Sequence, residues 1–191
     1  MELAEIELRR HNVRLSHYIA ARLPMVMADP ILIEQVLINL MKNAAESIAE
    51  AQLPPPKRCV ELRVVPKIID DRSVVEFSVL DSGQGISPEA MGRLFDAFYS
   101  TKAEGMGIGL KLCRSIVESH QGRLKAENIY TADVVTGCRF TFWIPVKPIL
   151  PSPDAAGLIS QTVPKPSTGH PVGNPSALPP ESSFMTDANA H

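Results

Sequence analysis

Residues 29–49 read DPILIEQVLINLMKNAAESIA, and the reading of this stretch decides the fold. Asp29 followed by Pro30 is a helix start. A carboxylate at the N-cap accepts from free amides of the first turn, and proline at the first helical position lacks an N–H that would go unpaired anyway. From Pro30 to about Ala49 the apolar residues Ile33, Val36, Leu37, Leu40, Met41, Ala44 and Ile48 form one stripe. Asn39 and Asn43 stand four apart on another face, with Gln35, Glu46 and Ser47 near it. A solvated polar face is the plain reading of that pattern. Asparagine is nevertheless a mediocre helix former, so two stacked in mid-helix call for a reason. A side-chain amide oxygen can ligate Mg²⁺ without adding negative charge beside phosphates.

Outward from this helix the periodicity changes. Residues 3–9 have helical spacing, and Val13, Leu15 and Ile19 alternate as on a half-buried strand. Met25-Val26-Met27 reads as a short second strand. Pro54-Pro55-Pro56 stops the long helix. Val60–Val65 and Val74–Leu80 are rich in β-branched residues and read as a hairpin turning at Asp70-Asp71. Ser87-Pro88 repeats the cap-plus-proline signature and starts a short helix through about Phe95. A glycine loop follows, then a helix from Leu110 to His120 closing near Gly122, then strands Arg123–Ile129 and Arg139–Ile144 ended by Pro145. The order β-β-α-β-β-α-α-β-β predicts an α+β fold, a two-layer α/β sandwich, over a doubly wound parallel sheet.

Composition sets the outer limits. The chain has 191 residues, 45% apolar and 21% charged, with a formal net charge of -2, an ordinary globular balance with no basic nucleic-acid face. No apolar run reaches membrane-spanning length, and the charged start MELAEIELRR lacks the apolar core of a signal peptide. Cys59, Cys113 and Cys138 are far apart and form no CxxC pair, so a disulfide framework or zinc site is not indicated and a reducing, cytoplasmic setting is the default. Nine of the 17 prolines fall at or after Pro148, and that composition predicts a disordered tail over 148–191.

Three further motifs carry candidate chemistry. Asp81-Ser82-Gly83-Gln84-Gly85-Ile86 ends an apolar strand. Alone it is a turn, but a buried Asp there could accept from an exocyclic amine and favour adenine over a base with no amine in that place. Thr101-Lys102-Ala103-Glu104-Gly105-Met106-Gly107-Ile108-Gly109-Leu110 is neither a P-loop nor a dinucleotide fingerprint. The helix after it can present free N–H groups to phosphates, and a flexible hinge is an equal alternative. Leu94-Phe95-Asp96-Ala97-Phe98-Tyr99 holds a Phe pair that packs either a core or a mobile lid.

In order and spacing, these motifs resemble the catalytic, ATP-binding domain of sensor histidine kinases, within the gyrase, Hsp90, histidine kinase and MutL group. Glu34–Ala44 resembles the N box, Asp81–Ile86 the first glycine box, Leu94–Phe98 the F box and Gly105–Leu110 the second glycine box. The lid wording FYSTKAEGMGIGL is most similar to the oxygen-, nitrogen- and dicarboxylate-sensing branch. The resemblance covers residues 12–147 and implies a Bergerat-type fold, a mixed sheet covered by helices with a mobile ATP lid. It implies 1–11 as the end of a preceding helical segment. It also implies roles for single residues. Asn43 would hold Mg²⁺, Asn39 would assist at the phosphates, and Lys102 would reach the γ-phosphate. Asp81 would bind the adenine amine in a pocket shaped by Gly83, Gly85 and Ile86. Phe95, Phe98 and Thr101 would bind the nucleotide from the lid region, with Gly105, Gly107, Gly109 and Leu110 as hinge and phosphate cradle.

Two departures matter. Many histidine kinases carry Lys where this chain has Glu46, and the branch named often has Glu; a role at Mg²⁺ or its bound water, a polar contact and plain surface all stay open. Hydrolytic members of the wider group carry a general-base Glu where this chain has Asn39. A neutral amide cannot take a proton from water, and Glu34 lies about 140° around the helix from Asn39. Phosphoryl transfer to a protein is therefore expected over fast hydrolysis. The acceptor histidine of the family sits on an upstream dimerisation hairpin, and His11 and His17 lack its surrounding pattern. The expected partners are that hairpin, within a homodimeric parent kinase, and a response regulator receiver domain, with no nucleic acid.

Overall fold

The computed structural model describes residues 2–102 and 106–146, with side chains from residue 5 onward. Helix α1 (Glu2–Arg10) leads into β1 (Arg14–Ile19), and α2 (Pro30–Glu50) carries the chain to β2 (Cys59–Ile69). Then come β3 (Arg72–Asp81), a short α3 (Pro88–Arg93), α4 (Gly109–Ser119), β4 (Arg123–Thr131) and β5 (Val134–Pro145). Among the described residues the five strands form one sheet in the order β1-β2-β3-β5-β4. β1 runs parallel to β2, and the other neighbours are antiparallel. A parallel pair needs a long crossover, and α2 is part of it. The sheet is mixed and covered by helices, as the sequence led us to expect.

Both hairpins close with two residues. Asp70 and Asp71 (φ 49° and 59°) turn β2 into β3, and Ala132 and Asp133 (φ 47° and 65°) turn β4 into β5. Two left-handed residues in a row are the type I′ geometry, whose twist matches that of the strands it joins.

The sheet has two unlike faces. Leu62, Val79, Phe140, Phe142 and Leu124 point to the helices and are buried there with Val36, Leu40, Met41, Ile48, Cys113 and Val117. Phe77 stacks on Phe142 with ring centres 4.7 Å apart. Leu8 of α1 is buried in the same core. The other face is mixed, with Val65, Val74, Leu80 and Trp143 set among charged and hydroxyl side chains. Lys67 pairs with Glu76 at 2.6 Å, Arg139 with Glu127 at 3.1 Å, and Arg63 lies over the Tyr18 ring.

Three expectations shift. Met25-Val26-Met27 is not a strand: Met25 and Met27 are exposed, and Val26 alone of the three packs on the core. Helix α3 stops at Arg93, short of Phe95, because the chain turns through Leu94–Tyr99 and Phe98 takes a left-handed φ of 64°. β5 begins at Val134 and not at Arg139, because the turn sits five residues earlier than the buried apolar run.

Helix ends locate the site. Asp29 Oδ1 accepts from the amides of Ile31 (2.9 Å) and Leu32 (3.3 Å), and Ser87 Oγ accepts from Ala90 N–H (3.2 Å). Helix α4 differs, since its N-cap is Ile108, which offers no side-chain acceptor. At the other end of α4, His120 Nδ1 donates to the Ile116 carbonyl (2.8 Å) while Nε2 accepts from Asp29 N–H (3.0 Å). That imidazole ties the end of α4 to the start of α2.

Candidate functional site

The site is built on the polar face of α2, where Asn39, Asn43 and Ser47 follow at intervals of four. At the Ser47 end the facing segment is the loop after β3. Asp81 is only 4% exposed, and its Oδ1 accepts from Gly83 N–H (2.8 Å) and Cys138 N–H (3.3 Å). Burial pushes this carboxyl up to about 6, against the pull of those two backbone donors. Because both donors land on Oδ1, Oδ2 is the oxygen left to receive a ligand donor.

Close packing explains both glycines of this loop. A Cβ at Gly83 would run into Ser47 Oγ and stand 2.9 Å from the Ser47 carbonyl carbon. Gly85 has φ +76°, and a Cβ there would strike Val135 and approach Asn128 Oδ1 to 3.0 Å. Gln84 reaches back to α2, donating to Glu50 at 2.7 Å. Asn128, in β4, fixes the far side of the loop. Its Oδ1 accepts from Ile86 N–H (2.8 Å) and its Nδ2 donates to the Ile86 carbonyl (2.7 Å). One side chain thus does the work of a strand neighbour.

At the Asn43 end the partner is Lys102. Its ammonium donates to Asn43 Oδ1 (3.3 Å) and forms an ion pair with Glu46 Oε2. The buried Cys113 thiol donates to the Val36 carbonyl (3.9 Å), and burial pushes it up to about 11 against the pull of the Asn39 amide. Burial, with the Asp81 carboxylate second, pushes Cys138 up to about 12. Both thiols stay protonated and inert at neutral pH.

The glycine segment and the Phe pair take separate places. Gly107 has φ +65°, and a Cβ there would lie 2.5 Å from the Phe98 carbonyl carbon, so Phe98 N–H can reach Gly107 O at 3.0 Å. Phe98 itself is 80% exposed, and Thr101 is exposed. Phe95 packs on the core edge under Arg114, and Ile86 and Leu110 also pack on that core. A Cβ at Gly109 meets nothing within 4 Å, so no crowding requires glycine there. Gly105 lies outside the described residues, as does the tail from residue 148. The structure therefore brings Asn43, Glu46 and Lys102 together, and separately Asp81, Gly83, Gly85 and Ile86.

Asn128 and Gly137 escaped the sequence reading. A Cβ at Gly137 would collide with the Asp81 carbonyl, so this glycine lets β5 close over the carboxylate's own backbone. The available signal was placement: Asn and Gly are both depleted inside strands.

Residues 28–148 match the family model described as histidine kinase-, DNA gyrase B-, and HSP90-like ATPase. The chain belongs to this family. Among curated proteins it is similar to the C4-dicarboxylate transport sensor protein DctS of Rhodobacter capsulatus, 47% identical over 116 residues, covering 61% of this chain and 17% of that protein. It is 36% identical over 137 residues to the sensor protein FixL of Bradyrhizobium diazoefficiens, covering 72% of this chain and 25% of that one. The chain thus spans a quarter or less of the length of these relatives. Among solved structures, the catalytic domain of histidine kinase ThkA superposes with TM-score 0.56 at 30% identity, covering 76% of this chain and 91% of that domain. Full-length ShkA in complex with AMPPNP superposes with TM-score 0.58 at 25% identity, covering 75% and 28%. Within the family, the unit described above is the ATP-binding catalytic domain of the sensor histidine kinase type.

The residues present fit such a nucleotide. Asp81 is a buried acceptor of the kind a base amine would need. The first turn of α4 has no capping side chain, so its amides and positive dipole end suit phosphate oxygens. Asn39 and Asn43 supply neutral oxygens, and among the described residues no cluster of three acidic, His or Cys side chains forms a ready-made metal cage. A metal here would lean on the nucleotide's own phosphates, as Mg²⁺ commonly does.

Proposed function

We propose that this catalytic unit directs the γ-phosphoryl group of ATP, with Mg²⁺, onto a histidine of a helical dimerisation hairpin belonging to its parent kinase. The phosphoryl group then passes to the receiver domain of a response regulator. The parent acts as a homodimer with this unit in the cytoplasm. Residues 1–11 would be the end of the segment leading from the hairpin, and 148–191 a tail outside the catalytic unit.

Bound Mg·ATP would supply the phosphoryl donor and partial neutralisation of its charge. The chain's own residues supply position. Asp81 accepts from the adenine amine, with Gly83, Gly85 and Ile86 holding the backbone around it. Asn43 offers its amide oxygen to the metal, and Asn39 lies one turn before it. Lys102 brings a cation to the γ-phosphate, and the open first turn of α4 donates amides beyond Gly107 and Gly109. In-line transfer asks for little more than such positioning and charge stabilisation.

The observation that carries transfer over hydrolysis is the neutral amide of Asn39, where a water-activating carboxylate would be needed. Glu46, one turn beyond Asn43 on α2, is already engaged by Lys102. The described histidines also have other work or no hairpin setting. His11 sits in the turn between α1 and β1, His17 lies exposed on edge strand β1, and the His120 imidazole holds Asp29. Among the described residues no helix is long and apolar enough to cross a membrane.

The test mixes this domain with Mg²⁺, γ-labelled ATP and a cognate histidine-bearing helical hairpin. Label is expected on the hairpin histidine, with little phosphate release when the hairpin is omitted. Binding of ATP with an unlabelled hairpin would overturn the kinase reading. Steady turnover without any acceptor would replace it with a hydrolytic one.

A further inference from the structure

Glu46 lies one turn beyond Asn43 on α2, and the structure shows what it touches. Its Oε2 pairs with the Lys102 ammonium, 56 residues further along the chain. Both side chains are only about 30% exposed (28% for Glu46, 29% for Lys102), so solvent does not fully screen the pair. The other oxygen, Oε1, lies 4.0 Å from Lys42 Nζ. That pair has lysine four residues before glutamate, the weaker orientation on a helix, and its lysine is 55% exposed. The same Lys102 ammonium donates to Asn43 Oδ1. A cation therefore already contacts the oxygen proposed for the metal.

We infer that Glu46 is a positioning residue whose carboxylate tethers Lys102 beside Asn43, while Lys102 in turn cancels a negative charge that α2 would otherwise present to a polyphosphate. This rests on the reading of the site as a Mg·ATP site. The placement of the two charges matters. Lysine on the helix would be a fixed cation at the phosphate end. Glutamate on the helix with lysine on the facing segment delivers a cation that can move. A divalent ion at Asn43 Oδ1 competes with the ammonium for that oxygen and drives Lys102 away from it, toward the phosphates. Glu46 is then a neutralised tether and not a metal ligand.

Two measurements on this domain test the inference. The first needs no nucleotide: tryptic cleavage after Lys102, followed by mass spectrometry. Freeing the lysine in Glu46→Gln is expected to speed that cut about threefold to fivefold, the scale of one partly exposed ion pair. Glu46→Asp, which keeps the charge on a shorter arm, should fall between. An unchanged rate in Glu46→Gln would overturn the tether.

The second measurement is calorimetric affinity for Mg·AMPPNP. Lys102→Met should weaken binding roughly tenfold, because it removes a cation and uncovers a carboxylate. Adding Glu46→Gln to that variant should recover roughly threefold. A double variant that binds no better than Lys102→Met, or that loses its dependence on Mg²⁺, would overturn charge cancellation and favour a metal-ligand role for Glu46. If the unaltered domain binds no Mg·AMPPNP, the site reading itself fails, while the cleavage comparison still decides the tether.

Discussion

The two ends of the site share one helix face and follow opposite rules. At the Ser47 end the geometry is fixed by backbone. Asp81 is held by two amides, Gly83 is pressed against α2, and Ile86 is clasped on both sides by Asn128. At the Asn43 end it is fixed by side-chain charge, with Lys102 balanced between Asn43 and Glu46, and with Thr101 and Phe98 in solvent. Backbone-built recognition is stiff and selective, which suits a flat base. A grip of long charged side chains is adaptable, which suits a phosphate chain whose charge changes during the reaction.

The sharpest way to break this contrast is Asp81→Asn. It keeps shape but puts an amide donor where an acceptor is needed, so adenine-nucleotide affinity should drop by about 30- to 100-fold, roughly 2–3 kcal/mol, by calorimetry. Stability should move the other way. The folded-state value is raised from 3.8 to about 6, so this group's contribution is full below its unfolded value and lost as pH rises through about 6. At pH 7 the Asn variant should therefore melt no lower than the unaltered domain. A lower melting temperature would refute the stiff-end description. The same shift predicts that nucleotide affinity of the unaltered domain declines as pH falls through about 6, where the carboxyl takes up a proton.

Next in size is Gly83→Ala, which drives a methyl into Ser47. Overpacking of this kind costs about 1–3 kcal/mol of stability, readable by urea unfolding. Asn128→Ala should follow, at about 1–2 kcal/mol with a several-fold loss of nucleotide affinity, since it strips partners from the Ile86 amide and carbonyl. Asn128→Asp keeps an acceptor for the Ile86 amide but loses the donor to the carbonyl, and should lie between. Smallest is Phe98→Ala. A side chain 80% exposed contributes little to packing, and the stability change should stay within about 0.5 kcal/mol. A large loss there would move Phe98 from the adaptable end to the stiff one.

Local signals in the sequence had local causes. Asp29-Pro30 and Ser87-Pro88 cap helices because capping involves neighbours within one turn, and both caps are present. The stripe on α2 is buried as spaced except for Leu37, which is half-buried, and Asn39 and Asn43 fall off it. The features that escaped join distant parts of the chain. Ile86 and Asn128 are 42 residues apart, and no periodicity links them. The pairing of Glu46 with Lys102 is of the same sort: two ordinary surface residue types whose meaning appears only when helix and loop face each other. Met25-Val26-Met27 failed for a related reason. An apolar triplet satisfies strand propensity, but a strand also needs a hydrogen-bonded neighbour, and this triplet pairs with neither edge of the sheet.

The sheet's unlike faces carry a last consequence. With salt bridges on one side, the apolar core lies in a single layer between sheet and helices, and the site rides on that layer. Asn39 is followed by Leu40 at 0% exposure, and Asn43 by Ala44 at 2%. Among the described residues this layer is the one apolar core, so a disturbance at the site is felt by it directly. Occupancy and melting are thus two views of one equilibrium, and a ligand at a hundred times its dissociation constant should add about 2.7 kcal/mol to folding. The domain's own heat resistance becomes a gauge of how full it is.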